Sequence, residues 1–341
     1  KNKPDDYYND WYVKVTSGSN TGKRELSDFV SSTGTLTVYA AYGGQIATTT
    51  TFELHQYDPD DKDQKLKDAI HQLYPDFWVP WFDETLITGN WLRNGDFEDW
   101  TSATLVKNWA AKAGVVQAQE TTIKRLGTYA LKATGTDVKY LEQSGTQLPR
   151  LYDLKGQTAT FRALVRTALT SHARLRIYAE DDAGTATSIY SGYHDGDSRW
   201  QVLEAEVALP TKLRLISFRL YLDKPGGAGD FAIYIDRARV YGDTNIRDYF
   251  LPTSGWDSLY SVDLAKEFAS RESSEDTDYA DDMGRDADLK PIRNWELIDD
   301  GTDKVLRIHP YLTKGYKLIL RGKKRLTQPS SDTASVELDS P

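Results

Sequence analysis

Hard oxygen donors stand at two corresponding places in this chain of 341 residues. The first is Asn94-Gly95-Asp96-Phe97-Glu98-Asp99-Trp100, and the second is Tyr234-Ile235-Asp236-Arg237-Ala238-Arg239-Val240-Tyr241. Ile233 and Ile235 alternate with polar neighbours at period two, the mark of a strand whose successive side chains face opposite ways. If this closing strand lies beside the segment that opens the same domain, Glu98 and Asp236 come together where the first and last strands meet. With Asp96 as a third donor and carbonyls from turns near Gly127, they have the chemistry of a Ca²⁺ site, which takes about six to eight oxygen ligands. The competing reading is plain: Glu98 caps a turn, and Asp236 pairs with Arg125 or Arg237 at the surface.

The elements between these motifs are alternating apolar and polar runs separated by turn residues, which predicts a β-sandwich. The opening motif, the acid on the closing strand and the length between them resemble the carbohydrate-binding modules of the galactose-binding-like jelly-roll class. The resemblance covers residues 91–242 and implies that the Ca²⁺ is structural, tying strand ends rather than touching sugar. It departs from the commonest family pattern in placing Arg237, rather than a second acid, after Asp236.

Sugar recognition stacks C–H faces on aromatic rings and meets the hydroxyls with amides and carboxylates. Trp100, Trp109, Tyr140, Tyr190, Tyr193 and Trp200 are the aromatic candidates. Trp109 and Trp200 are expected in the core. The preferred site is the Gly/Asp/Ser-rich run Tyr190-Ser191-Gly192-Tyr193-His194-Asp195, read as a loop on a rigid scaffold. Tyr190, Tyr193, His194 and Asp195 are the proposed contacts, against the alternative of an ordinary hairpin tip.

The flanks are thinner. Residues 11–15, 35–39 and 51–55 read as short strands. Asp58-Pro59-Asp60-Asp61 opens a helix that Pro75 ends. Beyond the sandwich, 246–253 reads as irregular, 259–268 as a short helix, and 271–288 as an acidic loop. Asp300-Gly301 joins a hairpin, and 316–322 is a last strand. Neither flank has enough strands for its own core. The expected architecture is therefore mainly β: a jelly roll (91–242) inserted between two halves, 1–88 and 245–341, of a smaller α+β domain. The runs Trp11–Phe29 and Gly34–Tyr39, with Lys304–Pro310 and Leu318–Gly322, look like small β-modules of tailed-bacteriophage virion proteins.

Composition narrows the function. A net charge of −9 argues against a general nucleic-acid binder. There is no cysteine, hence no disulfide framework and no thiolate metal site. No run suits a membrane span, and no signal-peptide pattern opens the sequence. The five histidines stand apart from any nucleophile, and no hydrolase or phosphate-loop motif occurs, so no catalysis is expected. The acidic 272–288 stretch and the basic series Lys314, Lys317, Arg321, Lys323, Lys324 and Arg325 would be complementary between neighbouring copies. Strand edges at 35–39 and 316–321 could pair with another chain. The leading expectation is a non-enzymatic phage virion protein of the neck, adaptor or tail. It is made in the host cytoplasm, assembles with copies of itself and other virion proteins, and displays a sandwich toward host surface glycans. The alternative is a binding module of a secreted or cell-surface polysaccharide-processing protein.

Overall fold

The computed structural model describes residues 3–135, 138–223, 231–252, 255–266, 289–299, 301 and 303–327. The chain is mainly β, as expected, and falls into two compact units, residues 1–79 with 324–341 and residues 80–323.

In the first unit, four antiparallel strands run in the order Thr35–Val38, Gly22–Val30, Tyr12–Val15, Phe52–His55. Val13, Val15, Leu26 and Phe29 are buried. Tyr8 packs edge-on against both Trp11 and Phe29. The helix runs Pro59–Gln72, with the Asp58 carboxylate accepting the Asp60 N–H at 2.9 Å, a cap that stops the first turn fraying. Thr35–Val38 is an edge strand, as anticipated.

The second unit holds the sandwich. One sheet has the order Gln201–Ala208, Thr158–Arg166, Phe231–Tyr241, Ala130–Gly135, Val116–Glu120. The other has the order Ala186–Tyr190, Ala173–Asp181, Leu213–Leu222, Lys139–Ser144, Ala110–Ala111. Alternation along each strand sends Phe161, Leu175, Ile177, Phe218, Leu220 and Ile235 inward. Phe161 from one sheet meets Phe218 from the other edge-to-face at 5.6 Å.

The Phe231–Tyr241 strand breaks its own alternation. Arg162 faces Arg239 and Leu164 faces Asp236, so the closing strand carries one extra residue there. Arg237 absorbs it with φ 55°, a bulge geometry. Ile233 and Ile235 are core residues before the bulge, Ala238 and Val240 after it. Asp236 is left on the opposite face from Ile235.

Several expectations about the flank change. Residues 259–268 were expected to be helical, yet Ser258–Lys266 is a strand paired along its length with Tyr316–Lys324. Residues 246–253 contain the strand Asp248–Leu251, paired with Lys304–Ile308, which in turn forms the foreseen hairpin with Trp295–Asp299. Tyr316–Lys324 is no free edge: Ser258–Lys266 lies on one side and Val79–Asp83 on the other. The acidic 271–288 stretch lies outside the described residues.

The division into domains also differs from the expected insertion. Tyr249, Leu251, Trp256, Val262, Leu306, Ile308, Leu318 and Leu320 belong to the same buried cluster as Trp91 and Phe161. Small sheets with one apolar face need cover, and here they share the core of the sandwich. Residues 86–88 zip onto 313–318, with the Leu318 N–H donating to Leu86 O at 2.8 Å and the Thr88 N–H to Tyr316 O at 2.8 Å.

Phe218 is fully buried at the sheet–sheet contact. Phe218→Ala should cost about 3–5 kcal/mol of unfolding free energy in urea titration. A loss below about 1 kcal/mol would mean that the two sheets do not pack there.

Candidate functional site

The opening segment is tied to the closing strand by backbone and amide contacts. Asn90 Oδ1 accepts the N–H groups of Val240 (2.9 Å) and Leu92 (3.1 Å), and its Nδ2 donates to Ala238 O at 3.1 Å. The Ala238 N–H donates to Gly95 O at 2.6 Å. A Cβ on Gly95 would sit 2.1 Å from Ala238 O, so only glycine permits the approach. Asn94, at φ 47°, turns the chain and holds its own loop. Its Oδ1 accepts the Asp99 N–H, and its Nδ2 donates to Asp99 O and Lys107 O. The Trp109 indole N–H donates to Asn94 O, and its ring packs on Phe97 at 5.4 Å, so Trp109 is core as expected.

This framework places Asp96 close enough to be repelled by Asp236 and Glu98 close enough to be repelled by Asp96, and both feel Asp83, which no sequence motif marks. Asp236 is 1% exposed. Its Oδ2 accepts the N–H groups of Arg125 (2.9 Å) and Leu126 (3.3 Å), while Oδ1 is buried with no hydrogen-bond partner. Glu98 Oε1 accepts N–H from Thr128 (2.9 Å) and Tyr129 (3.1 Å). Gly127 makes room for it, since a Cβ there would lie 2.1 Å from that oxygen. The Thr85 hydroxyl lies within hydrogen-bond reach of both Asp83 Oδ1 and Asp96 Oδ2. One hydroxyl proton serves only one acceptor at a time, and Asp83 Oδ1 also takes the Thr85 N–H at 2.8 Å, so the hydroxyl can turn to Asp96 without leaving Asp83 Oδ1 unmatched.

Burial is the first cause of each shift; neighbouring carboxylates add to it at Asp83, Asp96 and Glu98, while at Asp236 backbone N–H groups and the Arg237 charge oppose it. Asp236 is pushed up to about 6, Asp96 to about 7 and Glu98 to about 8, and Asp83 is raised as well. Among the described residues, no three carboxylate or imidazole groups converge as a finished ligand shell. The features that would suit a hard cation are an orphaned buried oxygen on Asp236, Asp96 near it, and Asp83 and Glu98 near Asp96.

The residues chosen for sugar contact separate. Tyr190 ends a strand rather than lying in a loop, and it is 38% exposed. Tyr193 has the same exposure, and its hydroxyl bonds Asp223 Oδ2 at 2.8 Å. Asp195 is exposed, but it meets its neighbours through its backbone, with its carbonyl accepting the Thr170 hydroxyl. His194 does not fit a contact role. It is fully buried, with Nδ1 taking the Gly196 N–H and Nε2 facing Arg199 O, so its ring organises the turn.

Tyr190 belongs instead to a patterned sheet face. Across the strands, one row reads Tyr140, Tyr221, Arg174, and the next reads Glu142, Arg219, Arg176, Tyr190. A third reads Ser144, Ser217, Tyr178, Ser188. Their strand neighbours Leu141, Leu175, Ile177, Phe218 and Leu220 face the core, so these rows lie on the outer side of the sheet, where Tyr221 and Ser217 are covered by their neighbours. Arg174 lies over Tyr190 (4.0 Å) and Tyr193 (4.6 Å), and Arg219 over Tyr140 (4.5 Å) and Tyr178 (4.9 Å). Arg176 donates from Nη1 to the Tyr221 hydroxyl (2.7 Å) and from Nε to Ser188 Oγ (2.8 Å). Arg174 Nε and Ser217 Oγ are left without partners. The sequence signal was present in the alternation Arg174-Leu175-Arg176-Ile177-Tyr178, which assigns these side chains to one face without saying which.

No protein-family model matches the chain, and no curated protein does. Among solved structures it is similar to the C-terminal family 22 carbohydrate-binding module of Clostridium thermocellum Xyn10B (14% identity, TM-score 0.34, covering 44% of this chain and 93% of that one). It is similar to the tandem CBM22-1–CBM22-2 of Paenibacillus barcinonensis Xyn10C (12% identity, TM-score 0.36, covering 74% and 95%). It is also similar to the enzymatically active domain of bacteriophage CBA120 tailspike protein 4 (12% identity, TM-score 0.34, covering 45% and 21%).

Asp96, Glu98 and Asp236 have folded-state values above the ordinary carboxylate range, so the folded protein binds more protons than the unfolded chain between about pH 4 and about pH 8. In excess chelator, stability should therefore fall as pH rises through that window, measured by thermal unfolding. Asp96→Asn should flatten part of the slope. A stability that rises steadily from pH 5 to 8 in chelator would contradict the arrangement.

Proposed function

We propose that this protein is a non-catalytic glycan-binding protein that uses the outward Tyr–Arg face of the Lys139–Ser144, Leu213–Leu222, Ala173–Asp181 and Ala186–Tyr190 strands. The observation that carries this reading is the contiguous register of Tyr140, Tyr178, Tyr190 and Tyr221 interleaved with Arg174, Arg176 and Arg219. Tyrosine rings offer flat apolar surface with a polar tip, suited to the C–H faces and hydroxyls of a sugar chain. Guanidinium groups stacked on those rings are oriented before any ligand arrives, which reduces the ordering cost of binding. The acids of the face are each engaged by arginine: Glu142 with Arg219 (2.7 Å), Asp223 with Arg174 (2.6 Å), and Glu180 with Arg214. This favours binding over cleavage.

In the same reading, the carboxylates Asp83, Asp96, Glu98 and Asp236 hold a structural Ca²⁺. The ion would neutralise four crowded acids and tie the opening segment to the closing strand. The protein works as a virion component, with its glycan face repeated in many copies. The edge strand Thr35–Val38 supports self-assembly, because an edge presents unpaired backbone groups that a second chain can complete. Many weak sites on one particle raise avidity by orders of magnitude.

On affinity gels cast with soluble polysaccharides, Tyr140→Ala and Tyr190→Ala should each weaken retardation about tenfold, roughly 1.4 kcal/mol. Unchanged retardation in both variants would remove the sheet face from consideration. Ca²⁺ at a hundredfold excess over Kd should stabilise the protein by about 2.7 kcal/mol relative to chelator at pH 8, and identical melting curves would end the calcium reading. Native mass spectrometry should give a multi-copy assembly, whereas a monomer at all concentrations would count against the virion role.

A further inference from the structure

A cleft of about 390 Å³ opens between the start of the sandwich and the hairpin flank, on the side where Asp248–Leu251 pairs with Lys304–Ile308. Its size suits a ligand of one or two sugar units. The strand register builds it: Asp248 stands opposite Arg307, and the Ile308 N–H donates to Arg247 O at 3.0 Å. This carries Arg247, Arg307 and Tyr311 to one wall, with Trp91, Asp153 and Asn245 also lining the space.

The cations of the cleft are not equivalent. Arg307 is engaged by Asp248, with Nε on Oδ1 at 2.7 Å and Nη2 on Oδ2 at 3.0 Å. Arg150 is held by carbonyls of Trp91 (2.8 Å), Leu92 (3.0 Å) and Asp248 (3.1 Å). Arg247 differs. Its guanidinium lies over the Tyr311 ring at 3.9 Å and has no ion pair or hydrogen bond with another described side chain. Stacking occupies the face of a guanidinium and leaves its edge N–H donors free, the fork that grips a carboxylate through two parallel bonds. Beside it, the largely buried Trp91 lines the cleft and gives it an apolar wall.

We propose that this cleft is a second ligand site, separate from the sheet face, that takes a sugar unit bearing a carboxylate. The carboxylate meets the edge of Arg247, a sugar face rests on the wall that Trp91 lines, and Asp153 and Asn245 receive the hydroxyls. A carboxylate of single charge suits the site better than phosphate, because Asp153 and Asp248 line it as well. Repulsion from them grows with the ligand charge, which for phosphate groups is about −1.5 to −2 at neutral pH.

The test is calorimetric titration of the full chain with sodium glucuronate, glucose and inorganic phosphate at matched ionic strength. Glucuronate should bind at least about tenfold more tightly than either of the others. Arg247→Ala should weaken it by a similar factor, and Arg247→Lys, which keeps the charge but loses the fork, should fall between. Circular dichroism checks that each variant is folded, and the comparison of three ligands on the unaltered protein needs no variant. Equal binding of glucose and glucuronate, phosphate binding as tightly as glucuronate, or a folded Arg247→Ala that binds glucuronate normally would each overturn the proposal.

Discussion

The structure depends on how closely the opening segment can approach the closing strand. Asn90 satisfies backbone groups of Ala238 and Val240 through one side chain, and Gly95 lies against Ala238 with no room for a side chain. That contact closes the sandwich where its chain begins and ends. It also forces Asp96 and Glu98 into the neighbourhood of Asp236, away from water. Buried acids of like sign are costly, and such a cluster persists only when a proton or a cation offsets the charge. One backbone approach thus sets both the fold closure and the chemistry beside it.

The same closure organises the flank. Trp91 follows directly from Asn90, donates its N–H to Val240 O, and takes Arg150 Nε on its carbonyl. The strands around Tyr249 and Leu306 then share the sandwich core instead of forming one of their own. Both proposed surfaces therefore rest on one hydrophobic cluster: a patterned sheet face on one sheet and a polar cleft at the flank.

The carboxylate cluster was partly legible because two short motifs carried it. A turn-rich opening and a period-two closing strand are local signals, and their pairing follows from the closure of a sandwich. Asp83 and Thr85 were not legible, since nothing near them marks the fold that brings them to Asp96. His194 misled for a related reason: a polar residue in a Gly/Asp/Ser run reads as exposed, yet its ring fills the turn and bonds Gly196 and Arg199. Alternation in residues 174–178 gave the parity of the sheet face, but which parity meets the core depends on the other sheet. Likewise 259–268 looked helical by itself and became a strand because Tyr316–Lys324 offered it a ladder of partners. Long-range pairing overrides local preference when it satisfies backbone groups that would otherwise be buried alone.

The bulge at Arg237 has a consequence for how this strand can vary over generations. It inverts the inside–outside phase between Ile235 and Ala238, so the count of residues across that interval matters more than most of their identities. Loss of a single codon there would restore strict alternation with Ala238 and Val240 still inward but would remove the bulge that seats Asp236, whereas a single added codon would turn Ala238 and Val240 toward solvent and break the contacts that Asn90 and Gly95 make with them. Substitutions in this stretch are thus open to drift, whereas changes of length are closed to it.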